Sequence, residues 1–133
     1  MANEENCVVL ADEVSRVTLA PAGPPGLGFP TRIEAASGPF SAVIDAEAQD
    51  YGAFREALIR LHETLAGSAR LEFWDEEHAI TLSGDGRGGV DVVVQLTDSS
   101  TPWHSCLTIK IALDQSYLPA IIRAVGRNFP SPA

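Results

Sequence analysis

Apolar and polar residues alternate one by one along much of this chain, which is the pattern of strands that bury one face. The alternation is clearest in 89–97 and 106–113, where valine, leucine or isoleucine occupies every second position. We therefore expect both of these strands to lie in the centre of a sheet. The full set of predicted strands, in chain order, is 7–10, 16–19, 31–36, 40–48, 68–74, 78–83, 89–97 and 106–113.

Two segments have helical spacing of their apolar residues instead. The first, at about 51–66, follows Asp50, whose carboxylate can accept hydrogen bonds from the free amides of a first helical turn. It ends before Gly67, which we expect to stop the helix in the left-handed conformation. The second, at about 117–129, is expected to begin after Ser116 as its N-cap.

Proline and glycine are concentrated in 21–30, which holds four of the nine prolines and three of the eleven glycines and is predicted to be a loop. A chain of 133 residues suits a single domain, 1–133. The order of the elements predicts an α+β fold. We expect a largely antiparallel, curved β-sheet or sandwich of about seven or eight strands with two α-helices.

The composition, 45% hydrophobic and 20% charged, excludes a disordered chain and a membrane span. The net charge of −9 has the wrong sign for general binding to nucleic acid or to an anionic membrane. A basic protein remains a suitable partner. The first residues lack the basic start and apolar run of an export signal, so we expect a cytoplasmic location.

Residues that could carry chemistry are few. The two cysteines, Cys7 and Cys106, are too few for a disulfide framework or a four-ligand zinc site, and the three histidines are isolated in the sequence. No metal or cofactor is predicted. His104 and Cys106 would share one face of a strand, so a Cys–His pair is geometrically possible, but a loop histidine before an ordinary thiol is the more common arrangement.

Gly84, Gly86 and Gly89 match the spacing of a dinucleotide-binding motif. That motif requires a helix after the glycines, whereas a strand follows here. A hairpin turn explains these glycines better than a nucleotide does. We therefore interpret Gly84, Asp85 and Gly86 as a structural turn.

The densest acidic run surrounds a tryptophan. A solvated turn is its simplest interpretation, but acids beside an exposed aromatic ring also suit a docking surface for a basic protein. Trp103 is expected to lie nearby. The predicted contact residues are Glu72, Trp74, Asp75, Glu76, Glu77 and Trp103.

From Gly38 onward, the order and spacing of several motifs resemble a family of small bacterial proteins, the WapI-type immunity proteins. Within the expected single domain, 31–133 would be the family core and 1–30 a strand hairpin with a Pro/Gly-rich loop. The matching residues are Gly38 to Ser41, Phe54, Leu58, Leu61, Leu65, Gly67, Leu82 to Gly88, Leu107, Ile109, Ile111, and Leu113 to Pro119.

The resemblance implies a binding protein without catalysis that neutralises a nuclease toxin used in competition between bacteria. An acidic immunity protein is physically suited to a nuclease, whose basic surface holds phosphates. Relatives often have a histidine after the Gly-Asp-Gly turn, where this chain has Gly88 and Gly89, so any role of that histidine is absent here.

The matched motif at the end of the last strand has a structural interpretation. It comprises Asp114, Gln115, Ser116, Tyr117 and Leu118, and it joins a strand to a helix. Ser116 or Asp114 can satisfy the amides freed at this junction, and we expect Tyr117 to be buried. Truncating a buried Tyr117 to alanine would cost about 3 to 5 kcal/mol.

Two other functions remain open from the sequence. One is a small enzyme or ligand-binding domain that uses the surface of His104 and Cys106. The other is a self-associating structural protein, a homodimer in which an exposed edge strand pairs with its copy.

Overall fold

A computed structural model describes residues 6–75, 77–98, 102 and 105–130. Its eight strands and two α-helices confirm the predicted α+β fold. The strands are β1 Val8–Ala11, β2 Ser15–Pro21, β3 Phe29–Ser37, β4 Phe40–Ala48, β5 Ala66–Glu72, β6 Ala79–Asp85, β7 Gly89–Asp98 and β8 Ser105–Asp114. The helices are α1 Tyr51–Thr64 and α2 Leu118–Asn128.

The strands form two antiparallel sheets of four strands each, ordered β1-β2-β3-β4 and β5-β6-β7-β8. β7 is central, but β8 is the outermost strand of its sheet, so the prediction that both are central is wrong for β8. The alternation of apolar and polar residues shows that one face of a strand is buried. It does not show whether the strand is paired on one edge or on both. No helix in the described part of the chain has the length and apolar character to cross a bilayer.

The apolar faces of both sheets and both helices meet in one cluster of buried residues. Tyr51, at the start of α1, is fully buried in it and stacks on Phe129 with ring centroids 3.7 Å apart. Its hydroxyl lies 3.0 Å from the hydroxyl of Thr31 in β3, and burial raises the pKa of Tyr51. Tyr51 therefore ties the first helix to the first sheet and to the end of the second helix.

Helix α1 begins as predicted, because the Asp50 carboxylate accepts a hydrogen bond of 3.0 Å from the Ala53 amide. Its left-handed terminal residue is Leu65, with φ 61°, so the prediction that Gly67 stops the helix is wrong. The Leu65 carbonyl accepts a hydrogen bond of 2.9 Å from the Gly86 amide. This contact with the β6–β7 turn stabilises a backbone conformation that leucine adopts rarely.

The junction between β8 and α2 also differs from the prediction. A 3-10 turn, Gln115–Tyr117, precedes the helix, and Asp114 accepts a hydrogen bond of 2.8 Å from the Ser116 amide. The N-cap of α2 is Tyr117, which makes no capping hydrogen bond, so Ser116 is not the cap. Tyr117 is 51% exposed, and Leu118 is buried instead. The tighter 3-10 turn changes which residue faces the core.

Two of the motifs that resemble the family, one at the β6–β7 turn and one after β8, contact each other. The Gln115 amide donates a hydrogen bond of 2.7 Å to the Gly88 carbonyl. Within the β6–β7 turn, one Asp85 oxygen accepts hydrogen bonds from the Arg87 and Gly89 amides, and these bonds hold the pKa of Asp85 below its usual value. Gly86 has a positive φ of 82°, as a tight turn requires. These contacts support the structural interpretation of both motifs.

Asp12, in the β1–β2 turn, links that turn to the open edge of β8. Its carboxylate accepts hydrogen bonds from the amides of Val14, Ser15 and Ala112, which lower its pKa from the usual 3.8. Because the folded pKa lies below the unfolded one, this contribution to stability is present above about pH 4 and is lost as the pH falls through the folded pKa.

We predict that Asp12→Ala removes the protection of the Ala112 amide against hydrogen exchange at neutral pH, because its acceptor is gone. Protection factors measured by NMR would test this, and the wild type should lose the same protection in acid. Asp85→Ala is the control, since it deletes a turn carboxylate that does not contact Ala112. Unchanged protection of Ala112 in the Asp12 variant would contradict the prediction.

Candidate functional site

The end of β4 meets the end of β5, and this junction positions Trp74. Ala48 and Phe73 form an isolated antiparallel bridge between the two sheets. The Trp74 amide donates a hydrogen bond of 3.0 Å to the Glu47 carbonyl, next to that bridge. The side chain of Trp74 is 53% exposed. The tryptophan therefore has a fixed backbone and a large accessible ring.

The Pro/Gly-rich loop between β2 and β3 packs closely against the ring of Trp74. A Cβ atom placed on Gly28 would lie 2.6 Å from the indole nitrogen of Trp74 and 2.7 Å from the Ala48 carbonyl oxygen. Only glycine fits in that space without displacing the ring or β4. A segment predicted only to be a loop thus orients the most exposed aromatic group of the acidic run.

His78, which sequence reasoning treated as an isolated histidine, holds the acidic turn in place. Its buried ring packs edge-on against Phe73, and its Nδ1 atom accepts a hydrogen bond of 3.2 Å from the Thr97 amide. The Nε2 atom therefore carries the hydrogen, and it lies 3.2 Å from an Asp75 oxygen. The other Asp75 oxygen accepts a hydrogen bond of 3.1 Å from the Glu77 amide.

A groove of about 600 Å³ lies between the outer edge of β4 and this turn. One wall is 42–45 of β4, and the other includes His78 and Thr97. We call this feature the acidic groove, and its carboxylates are Asp45, Asp75, Glu77 and Asp98. Asp45 pairs with Arg32 at 3.0 Å, and this hydrogen bond holds the pKa of Asp45 below its usual value.

The structure brings together part of the predicted contact set. Trp74, Asp75 and Glu77 lie at or beside the groove. Glu72 precedes them in β5, where its carboxylate lies 3.3 Å from Arg70. Glu76 and Trp103 lie outside the described residues. Asp98 was not among the predicted contact residues. It reaches the groove from the C-terminal end of β7, and no local sequence pattern indicates that it belongs there.

The surface proposed for an alternative enzyme contains Cys106, which is exposed. Its sulfur lies 3.7 Å from the Thr97 hydroxyl, a group that is not a base at neutral pH. His104, the suggested partner, lies outside the described residues. Within the described ranges, no group of three or more His, Cys, Asp or Glu residues could hold a metal ion.

A comparison with models of known protein families decides the assignment. The model of the immunity protein WapI-like family matches residues 28–129, which is most of the chain. The chain belongs to the WapI-like immunity protein family. The resemblance found in the sequence is thereby confirmed. No curated protein and no solved structure matches the chain.

The range shared with this immunity protein family contains the acidic groove and both structural motifs, and it leaves out β1 and β2. Membership supports an immunity-protein role, which is to bind a toxin. It also favours a role without catalysis. The match begins at Gly28, the residue that supports Trp74.

Proposed function

We propose that this protein binds and neutralises a toxin domain by covering a basic surface of that domain with the acidic groove and Trp74. The observation that carries the proposal is the position of four carboxylates around one groove, with an exposed tryptophan at the neighbouring sheet junction. We further propose that the toxin is a nuclease, because enzymes that bind nucleic acid present basic surfaces. The encounter would take place in the cytoplasm, where such a toxin meets its substrate.

The carboxylates of the acidic groove and the ring of Trp74 have separate roles in the proposed binding. The carboxylates attract a basic surface over distance and raise the association rate, an effect that salt reduces. Trp74 offers a large, rigid contact area, which is typical of the residues that dominate binding energy at interfaces. The contact of Asp75 with the buried His78 ring keeps one carboxylate of the groove oriented before the partner arrives.

We predict that the double variant Glu77→Lys and Asp98→Lys weakens binding to the toxin about 100-fold or more, because it places positive charge against a basic surface. The probe is a toxin domain that the wild-type protein retains in a pull-down from its host, purified and then titrated by calorimetry at low and at high salt. Affinity of the wild type should fall as salt is raised. Protection of bacteria that express the toxin domain should be lost in the double variant.

The matched control is Glu56→Lys and Glu63→Lys, which changes the net charge equally on the exposed face of α1. This control should bind within about threefold of the wild type, since surface charges at a distance are screened. Equal losses in the two double variants, or a wild-type affinity that does not depend on salt, would show that the acidic groove is not the docking surface.

A further inference from the structure

Strand β4 has an open edge that faces the acidic groove. It is the outermost strand of its sheet, and in the described part of the chain only β3 pairs with it between Phe40 and Ala46. The carbonyl of Glu47 accepts a hydrogen bond from the Trp74 amide, which shows that it points away from β3. Backbone groups of a strand alternate between its two edges, so those of Ser41, Val43 and Asp45 also point outward.

These outward groups form a short template for another strand. Each of Ser41, Val43 and Asp45 offers one amide donor and one carbonyl acceptor to the groove. Five residues of β4, 41–45, span about 16 Å at the usual rise per residue of a strand. Val43 is 62% exposed, so its side chain lies on the solvent face of the strand.

The rest of the groove indicates the chemistry of the occupant. Ala42 and Ile44 are partly buried and pack against the core, so the wall beside the open edge is apolar. Asp75, Glu77 and Asp98 lie across from it. A lysine or arginine side chain can lay its aliphatic stem on apolar surface and extend its charged head to a carboxylate.

We propose that an extended, basic segment of the toxin adds to β4 as a fifth strand of the first sheet. This inference rests on the proposed function and specifies how the partner is held. Main-chain hydrogen bonds to β4 supply affinity that does not depend on the partner's sequence, and the carboxylates select segments rich in lysine or arginine. The occupant is thus a strand of the partner, bound by edge pairing.

Two other outermost strands, β8 and β1, do not have this combination of an open edge and facing carboxylates. β8 is also outermost, but its Ala112 amide already bonds to Asp12, and by the same alternation Lys110 is the next outward residue. A lysine there repels a basic segment and is a common protection of edge strands. β1 has only four residues. A second copy of this chain would bring the same carboxylates to β4, so the charge of the groove disfavours self-pairing.

The test is Val43→Pro, compared with Val43→Thr. Proline is tolerated on edge strands where the lost amide hydrogen faces away from the sheet, so the proline variant should fold. It should bind the toxin domain at least about tenfold more weakly, because one donor is gone and the ring obstructs pairing. The threonine variant keeps the amide and the branched shape, and its affinity should stay within about threefold of the wild type.

The outcomes separate this inference from the proposed function. If Val43→Pro binds like the wild type while Glu77→Lys with Asp98→Lys does not, edge pairing is overturned and the acidic surface stands. If all variants bind like the wild type, both proposals are wrong. A wild-type dimer in light scattering that Val43→Pro dissociates would identify a second copy as the occupant and would also overturn edge pairing with the toxin.

A second measurement uses only the unmodified protein and covers the case in which Val43→Pro does not fold. Amide hydrogen exchange is followed by NMR with and without the toxin domain. The amides of Ser41, Val43 and Asp45 should become strongly protected in the complex, because each gains a main-chain acceptor. Exchange at these three amides that is unchanged by saturating toxin would overturn the inference.

Discussion

Tyr51→Ala is expected to lower the free energy of unfolding by about 3 to 5 kcal/mol. The ring is fully buried, stacks on Phe129 and meets Phe29 edge-on at 5.5 Å, so its removal leaves a cavity where the first sheet, α1 and the end of α2 meet. The hydroxyl of Thr31 would lose its hydrogen bond to Tyr51 and keep only the one that it donates to the Phe29 carbonyl. Urea denaturation followed by circular dichroism measures the change.

The chain contains one other tyrosine, Tyr117, and it provides the matched control. Because Tyr117 is half exposed, Tyr117→Ala should change stability by less than about 0.5 kcal/mol. Tyr51→Phe keeps the ring and removes only the hydroxyl, so it should cost about 1 kcal/mol. If the two alanine variants had similar stabilities, the assignment of Tyr51 to the core and Tyr117 to the surface would be wrong.

Gly84→Ala is expected to destabilise the protein by about 1 to 3 kcal/mol. A Cβ atom at this position in β6 would lie 2.5 Å from the carbonyl oxygen of Leu65 and 2.9 Å from a methyl group of Leu61. The carbonyl belongs to the backbone at the end of α1, and it also accepts the hydrogen bond from Gly86. The helix end would therefore have to move away from the sheet, which the midpoint of urea denaturation reports.

Gly26→Ala controls for the general effect of replacing glycine. Apart from its two chain neighbours, no residue has an atom within 4 Å of a Cβ atom built on Gly26, which is in the surface loop between β2 and β3. Its stability should stay within about 0.5 kcal/mol of the wild type or rise slightly, because alanine restricts the unfolded chain. A stability loss in Gly84→Ala no larger than in Gly26→Ala would mean that close packing does not require glycine at position 84.

The proposed docking surface was predictable only in part. The acidic run with Trp74 is contiguous in sequence, so composition alone marked it. Asp98, Val43 and the orienting role of His78 were not predictable, because they reach the groove from β7, from β4 and from the residue before β6. Residues that are distant in sequence acquire a common function only through strand order, which no local pattern encodes.

The sequence of the motif after β8 also predicted its structure only in part. Its residues were correctly assigned to a junction between strand and helix, and the Asp114 contact with the Ser116 amide is a local turn that such sequences favour. The exposure of Tyr117 was not predicted. Whether an aromatic side chain at a junction faces the core depends on the rotation of the incoming helix, which is set by packing against the rest of the protein.

The spacing of apolar residues was sufficient to predict the eight strands, the two helices and the α+β class, because the periods of strands and helices depend only on neighbouring residues. Family membership also followed from ordered motifs in the chain. Tertiary packing alone decided that β8 is an edge, that Tyr51 is the central aromatic of the core, and that the open side of β4 faces carboxylates of the β5–β6 turn and of β7. These features arise from contacts between residues far apart in sequence.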